Sequence, residues 1–192
     1  MKKDIILAGV GGQGILSIAT VIGEAATAAG LHLKQAEVHG MSQRGGDVQS
    51  NLRLSTAPIH SDLIPYGQVD LIIAMEPMEA LRYLPYLSKN GWIVTSSEPF
   101  VNIPNYPPVD TLHKTLSALP HVRMAAIEAE AKQLGMPKSA NMILLGMAAA
   151  CIELLSPEEL RTAIARIFAT KGETIVSKNQ QAFDLGVHHE NI

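Results

Sequence analysis

Four glycines within six residues, Gly9, Gly11, Gly12 and Gly14, constrain this chain more than anything else in it. They follow the apolar run Ile5-Ile6-Leu7-Ala8. They precede Ile15, Leu16, Ile18, Ala19, Ile22, Ala25 and Ala26, which are spaced for one face of a helix. The pattern predicts a buried strand, a tight turn and a helix. The spacing fits G-x-G-x-x-G, in which bare backbone lets N–H groups face an anion at a helix N-terminus. Any close strand-to-helix turn also needs glycine, so two readings stand side by side: a ligand loop and a packing turn. Glu37, 23 residues after Gly14, ends the next apolar-alternating stretch. In a dinucleotide-binding unit an acid there holds the ribose hydroxyls; otherwise it is a solvated glutamate.

A chain of 192 residues can bury one full core and is too short for two large ones. Only 8 aromatics are present, so aliphatic side chains and methionine must fill the interior. With 15 basic and 18 acidic residues and no basic run, the net charge is −3, and nothing resembles a nucleic-acid surface. The longest apolar run, Met142 to Ile152, has 11 residues where a spanning helix needs about 20. No secretory leader pattern follows Met1, so no membrane association and a cytoplasmic location are expected. Cys151 is the single cysteine, which excludes an internal disulfide and cannot supply the thiolates of an iron–sulfur cluster.

Strands are expected over 4–9, 31–38, 48–54, 71–75, 91–96 and 122–127, with 48–54 half exposed because it alternates apolar and polar residues. Helices are expected over 13–29, 77–83, 110–119, 139–155, 156–170 and 174–186. Gly30 should end the first helix, and Ser156-Pro157-Glu158-Glu159 is a strong helix start. Residues 97–109 are irregular and hold four prolines. Strands alternating with helices, then helices alone, give one doubly wound, Rossmann-like α/β domain over 1–192, with a mostly parallel sheet and C-terminal helices.

No self-contained active site is visible. There is no His-Glu-x-x-His, no zinc cluster, no nucleophile elbow and no P-loop, and Cys151 sits in an apolar helix as a small hydrophobe would. His188 and His189 are expected to be solvated. The second unusual loop is His39-Gly40-Met41-Ser42-Gln43-Arg44-Gly45-Gly46-Asp47. It should lie at the carboxyl edge of the second strand, beside the first glycine loop, where open α/β sheets bind ligands. Arg44 suits a carboxylate or phosphate through its planar fork, or else it braces the loop. Glu76 ends the fourth strand at the same edge and either pairs with Arg44 or a partner, or favours the helix dipole behind it.

Three phrases taken in order, Gly9 to Gly14, Glu37 to Gly46, and Glu76-Pro77-Met78-Glu79-Ala80, resemble the gamma-type subunit of 2-oxoacid:ferredoxin oxidoreductases. The His-Gly-Met-Ser-Gln-Arg-Gly-Gly phrase is similar to the small (beta) subunit of the indolepyruvate branch; pyruvate and 2-oxoglutarate relatives differ before the Arg-Gly pair. The resemblance implies a subunit without its own cofactor. A large partner would carry thiamine diphosphate and 4Fe-4S clusters, decarboxylate arylpyruvates oxidatively to aryl-acetyl-CoA and pass electrons to ferredoxin. It also implies that Gly9, Gly11, Gly12, Gln13 and Gly14 face a phosphate of coenzyme A or the partner's cofactor region. Glu37, His39, Gln43, Arg44, Gly45, Gly46 and Glu76 would line the substrate or subunit interface. Alternatives are a stand-alone NAD(P)-dependent reductase, which lacks a hydride-transfer constellation here, and a nucleotide- or CoA-binding module.

Overall fold

The computed structural model describes residues 1–39 and 46–189. Among these described residues, six strands form one sheet in the order β2-β3-β1-β4-β5-β6. They are β1 (Lys2–Val10), β2 (His32–His39), β3 (Asp47–Ser55), β4 (Val69–Ala74), β5 (Leu87–Ser96) and β6 (Val122–Ala125). β1, β4, β5 and β6 pair parallel, with Ile5 opposite Leu71, Leu71 opposite Trp92 and Ile93 opposite Val122. β3 runs antiparallel to both β1 and β2, so the sheet is parallel on one side of β1 and antiparallel on the other.

The α-helices among the described residues are α1 (Ile15–Ala28), α2 (Pro77–Arg82), α3 (Val109–Ser117), α4 (Ile127–Gln133), α5 (Ala140–Ile152), α6 (Pro157–Phe168) and α7 (Glu173–His188). Alternation along β1 sends Ile5 and Leu7 to one core and Ile6 and Ala8 to the other. The first core joins α1, α4, α5, α6 and α7, while the second lies under α2 and α3. Helices therefore cover both faces, as expected of a doubly wound sheet. Within α5 every residue except Ala150 is buried, because it packs between the sheet and α7. Gly30 takes φ +71° beyond α1, and its N–H donates to Thr27 O at 3.1 Å. The Ser156 and Glu159 side chains cap α6 reciprocally.

Strand β3 departs from expectation. Its alternating residues suggested half exposure, yet Ser50, Asn51, Leu52 and Leu54 are buried, because the strand is held between β1 and β2 and covered on both faces. Its buried polar side chains need partners there. Arg53 makes a bidentate pair with Asp4, Nε to Oδ1 at 2.7 Å and Nη2 to Oδ2 at 3.0 Å. Burial raises the Asp4 pKa, and hydrogen bonds and charge from Arg53 and Lys2 outweigh that, leaving it below its ordinary value. His189 is likewise not simply solvated: its Nε2 lies 2.7 Å from Glu130 Oε2 on α4.

Candidate functional site

Strands β1, β4, β5 and β6 all finish at one edge, and the segments leaving them border a cleft of about 1000 Å³. Gly12, Gln13, Gly14 and Ser17 form one wall, with Met75 beside them. Glu98, Pro99 and Phe100 enter after β5, and Glu128 after β6. The stretch 135–141, the turn that precedes α7 and the start of α7 complete it and bring Lys138, Lys171 and Lys178 in that order.

The glycine loop is fixed by its own hydrogen bonds. Val10 N–H donates to Gln13 Oε1 at 2.7 Å, Gln13 Nε2 donates to Met75 O at 3.3 Å, and Gln13 N–H donates to Val10 O at 3.1 Å. The Gln13 side chain thus ties the ends of β1 and β4 together, and its amide holds the loop in shape. Gly9 permits close packing, since a Cβ there would lie 2.9 Å from Ile15 Cγ1 and 3.2 Å from Met75 Cβ. Gly12 has φ +104°, and a Cβ on it would meet nothing within 4 Å, so its backbone faces open space. Gly14, at φ +84°, begins α1 with no side-chain cap, and that helix has no acid in its first turn. The positive end of the helix dipole is left for something else. Asn141, at the start of α5, donates from Nδ2 to Gly14 O at 3.1 Å and so ties that helix to the loop.

The second loop is described only at its ends. His39 closes β2 and pairs with Val48. Gly46 O accepts from Gly11 N–H at 2.8 Å, which puts the end of this loop against the glycine loop. Gln43, Arg44 and Gly45 lie outside the described residues.

Glu37 and Glu76 go elsewhere. Glu37 pairs across β3 with Ser50, which in turn faces Leu7 of β1. At about 4.8 Å per strand spacing, β2 stands roughly 10 Å from β1, so Glu37 is not the neighbour that a ribose on the first loop requires. It is exposed and accepts a hydrogen bond from Gln35 Nε2 at 2.6 Å. Glu76 is fully buried and caps α2, its Oε2 accepting from Glu79 N–H at 2.9 Å. Its Oε1 accepts from Phe100 N–H at 3.4 Å and from the Tyr106 hydroxyl. Glu76 therefore fastens the proline-rich segment 97–108 along the cleft.

The cleft's charged residues were not legible beforehand. Glu98 Oε2 accepts from Glu128 N–H at 2.7 Å and Ala129 N–H at 3.0 Å, and Ser96 Oγ donates to Glu128 Oε2 at 2.6 Å. Burial, followed by the hydrogen bond with Glu98, pushes the Glu128 carboxyl up to about 7. The side chains of Ser139, Asn141 and Asn179 are buried in the wall of the same cleft. Chemically this is a cleft of mixed lining, with apolar side chains such as Met75, Phe100 and Phe168 beside uncapped helix backbone, three lysines and two acids, an arrangement suited to a phosphorylated small molecule with an apolar part.

This architecture is an α/β domain with a central sheet, helices on both faces and a cleft at the carboxyl edge of its parallel strands. The family model described as Pyruvate ferredoxin/flavodoxin oxidoreductase matches residues 4–189, and the chain belongs to that family as a gamma-type (beta) subunit. It is 36% identical over 190 residues to indolepyruvate oxidoreductase subunit IorB of Methanothermobacter thermautotrophicus, covering 95% of each chain. It is 28% identical over 165 residues to 2-oxoglutarate synthase subunit KorC of Methanocaldococcus jannaschii, covering 85% of this chain and 82% of that one. Among solved structures, the gamma subunit of keto/oxoacid ferredoxin oxidoreductase from Geobacter sulfurreducens superposes with TM-score 0.69 at 25% identity, covering 97% of each chain. The fold also recurs, with TM-score 0.76 and 22% identity, in 2-oxoglutarate:ferredoxin oxidoreductase from Magnetococcus marinus, a structure with 2-oxoglutarate, coenzyme A and succinyl-CoA bound. There the match covers 99% of this chain and 31% of that one.

Proposed function

We propose that this chain, read over 1–192 as one gamma-type domain, is the small subunit of a cytoplasmic indolepyruvate (arylpyruvate):ferredoxin oxidoreductase. Its cleft receives a phosphate of coenzyme A at the contact with the large subunit. The observation that carries the site is the open backbone of Gly12 at the uncapped start of α1, in a cleft that also holds Lys138, Lys171 and Lys178. The branch is supported by 36% identity to the indolepyruvate subunit against 28% to the 2-oxoglutarate one. In this reading Gly12, Gly14 and the lysines bind phosphate, Gln13 and Asn141 hold the loop, and Glu76 positions the segment that carries Phe100.

In this reading the oxidative decarboxylation would belong to the partner, whose thiamine diphosphate would supply the electron sink that the chemistry needs. One cysteine cannot ligate a 4Fe-4S cluster, so the clusters and the route to ferredoxin are assigned to that partner too. His39, Gln43, Arg44, Gly45 and Gly46 would sit at the subunit contact. The test is to co-express the chain with its large partner and compare indolepyruvate, phenylpyruvate, pyruvate and 2-oxoglutarate as substrates. Faster turnover of the aryl substrates, with CoA titrating the isolated chain, is the expected result. Preference for 2-oxoglutarate would move the chain to another branch, and oxidation of indolepyruvate by the lone chain would overturn the division of labour.

A further inference from the structure

A helix start carries unsatisfied N–H groups, and this chain closes most of its own. Glu76 caps α2, Glu98 Oε2 accepts from Glu128 N–H and Ala129 N–H at the start of α4, and Ser156 caps α6. α3 and α7 each have an acid in the first turn, Asp110 and Glu173. Among the described residues, only α1 and α5 begin with neither a side-chain cap nor an acid in the first turn. Both open on the cleft, α1 through Gly14 and Ser17, α5 through Ser139, Ala140 and Asn141. They also touch: Asn141 Nδ2 donates to Gly14 O at 3.1 Å, and a Cβ on Gly14 would lie 2.7 Å from that nitrogen.

The start of α5 also holds a buried hydroxyl that nothing uses. Ser139 is the N-cap and only 5% exposed, yet its hydroxyl makes no hydrogen bond among the described residues and keeps its access to solvent through the cleft. Ser156 shows what the same residue does on α6, where an extended backbone (ψ 156°) lets Oγ accept from Glu159 N–H at 3.3 Å. At Ser139 ψ is 11° and the cap bond is not made. Burying a hydroxyl without a partner is costly, and a ligand that accepts from it removes the cost. Lys138 precedes it, and neither Lys138 nor Lys178 has an ion pair among the described residues.

We propose that the two helix starts hold one diphosphate between them, a phosphoryl group at each, with the Ser139 hydroxyl donating to the group at α5. This rests on the reading that a phosphorylated ligand occupies the cleft, and it names the part of that ligand which is bound. A single phosphate can lie at only one of the two starts. Phosphates on opposite sides of a ribose stand farther apart than starts with only the Asn141 amide between them require. A diphosphate carries two anionic groups on one bridging oxygen, and each meets a dipole end and N–H groups already in place. Glu98 and Glu128 line the same cleft, but their Oε2 atoms are bonded to the start of α4 and to Ser96 Oγ, on the β5–β6 side.

The experiment is calorimetric titration of the full chain with coenzyme A, ADP and adenosine 3′,5′-bisphosphate. The last two are isomers, and the 3′,5′-isomer carries at least as much charge, so charge alone cannot favour ADP. ADP should bind at least about tenfold more tightly than its isomer. Ser139→Ala should weaken CoA and ADP by about 3- to 10-fold and leave the isomer within about twofold. Ser139→Asp supplies the missing cap with a charge of its own. It should keep or raise Tm while weakening CoA and ADP by about 30-fold or more, because its carboxylate takes the place of a phosphoryl group. A purely structural role for Ser139 would move Tm and binding together. Equal binding of ADP and its isomer, or a Ser139→Asp chain that binds CoA as wild type does, would overturn the diphosphate seat. The isomer comparison needs no variant and decides the matter even where Ser139→Asp fails to fold. If Gly12→Val still weakens CoA binding after such a result, the phosphate reading stands and only the diphosphate seat falls; if wild type does not bind CoA, both fall.

Discussion

The glycine loop at 9–14 and the crossing of α5 on α7 both depend on glycine, and the contrast separates site from scaffold. At Gly12 a Cβ would meet nothing within 4 Å, and the backbone conformation alone, φ +104°, selects glycine. At Gly146 the conformation is ordinary helix, but a Cβ would run into Phe183 O and lie 2.8 Å from Val187 N. Gly186 is its counterpart, where a Cβ would run into Ile143 O and lie 2.9 Å from Met147 N. The two helices touch backbone to backbone, as helices can only where small residues face each other. One glycine leaves its backbone open to the cleft, while the other two remove room so that helices can meet.

The largest effect should come from the helix crossing. Gly146→Val or Gly186→Val forces α5 and α7 apart and should destabilise the fold by about 3 kcal/mol or more, read from urea denaturation midpoints. A cost below about 1 kcal/mol would mean that the helices slide apart freely. Gly12→Val should cost less stability, about 1–3 kcal/mol for a β-branched residue at positive φ, yet weaken CoA binding at least about tenfold. If Gly12→Val unfolds the chain more readily than Gly146→Val, the assignment of the two regions is reversed.

Asn141 probes the boundary between the two regions, because it starts α5 and bonds Gly14. Asn141→Ala should lower stability by about 1 kcal/mol and raise the CoA Kd a few-fold, and an unchanged Kd would show that the loop holds its shape without α5. The smallest effect is pH-dependent. Glu128 has a folded pKa of about 7 against an ordinary 4.5, so between those values the native state binds more protons than the unfolded one. Stability is then greatest below pH 4.5 as far as this group is concerned, and its contribution is lost as pH rises through about 7. Discounted for partial solvent screening, this amounts to about 1 kcal/mol, or roughly 2–4 °C in Tm between about pH 5 and 8. Glu128→Gln should remove that part of the decline; equal declines in both proteins would assign it to other groups.

The same contrast explains what could be read early. The glycine loop stood out because its glycines cluster in sequence after an apolar run. Gly146 and Gly186 lie 40 residues apart on separate helices and form no motif. The cleft divides likewise: Gly12 and Gly14 belong to a cluster visible in the sequence, whereas Glu98, Glu128, Lys138, Lys171 and Lys178 are isolated charges, common on any surface. Glu76 was placed at the right edge with two roles open, and burial assigns it to capping α2 and fastening Phe100 and Tyr106.

Residue order was enough for whatever depends on neighbours a few positions away: the strand, turn and helix at the start, the buried helix at 140–152 and the cap at Ser156. These follow from periodicity and backbone preference, which act within one or two turns of chain. Packing was needed to insert β3 between β1 and β2, to bring Glu98 to Glu128, and to lay α5 against α7. Each is a contact between distant segments, set by which surfaces bury together best, and no local pattern records that choice.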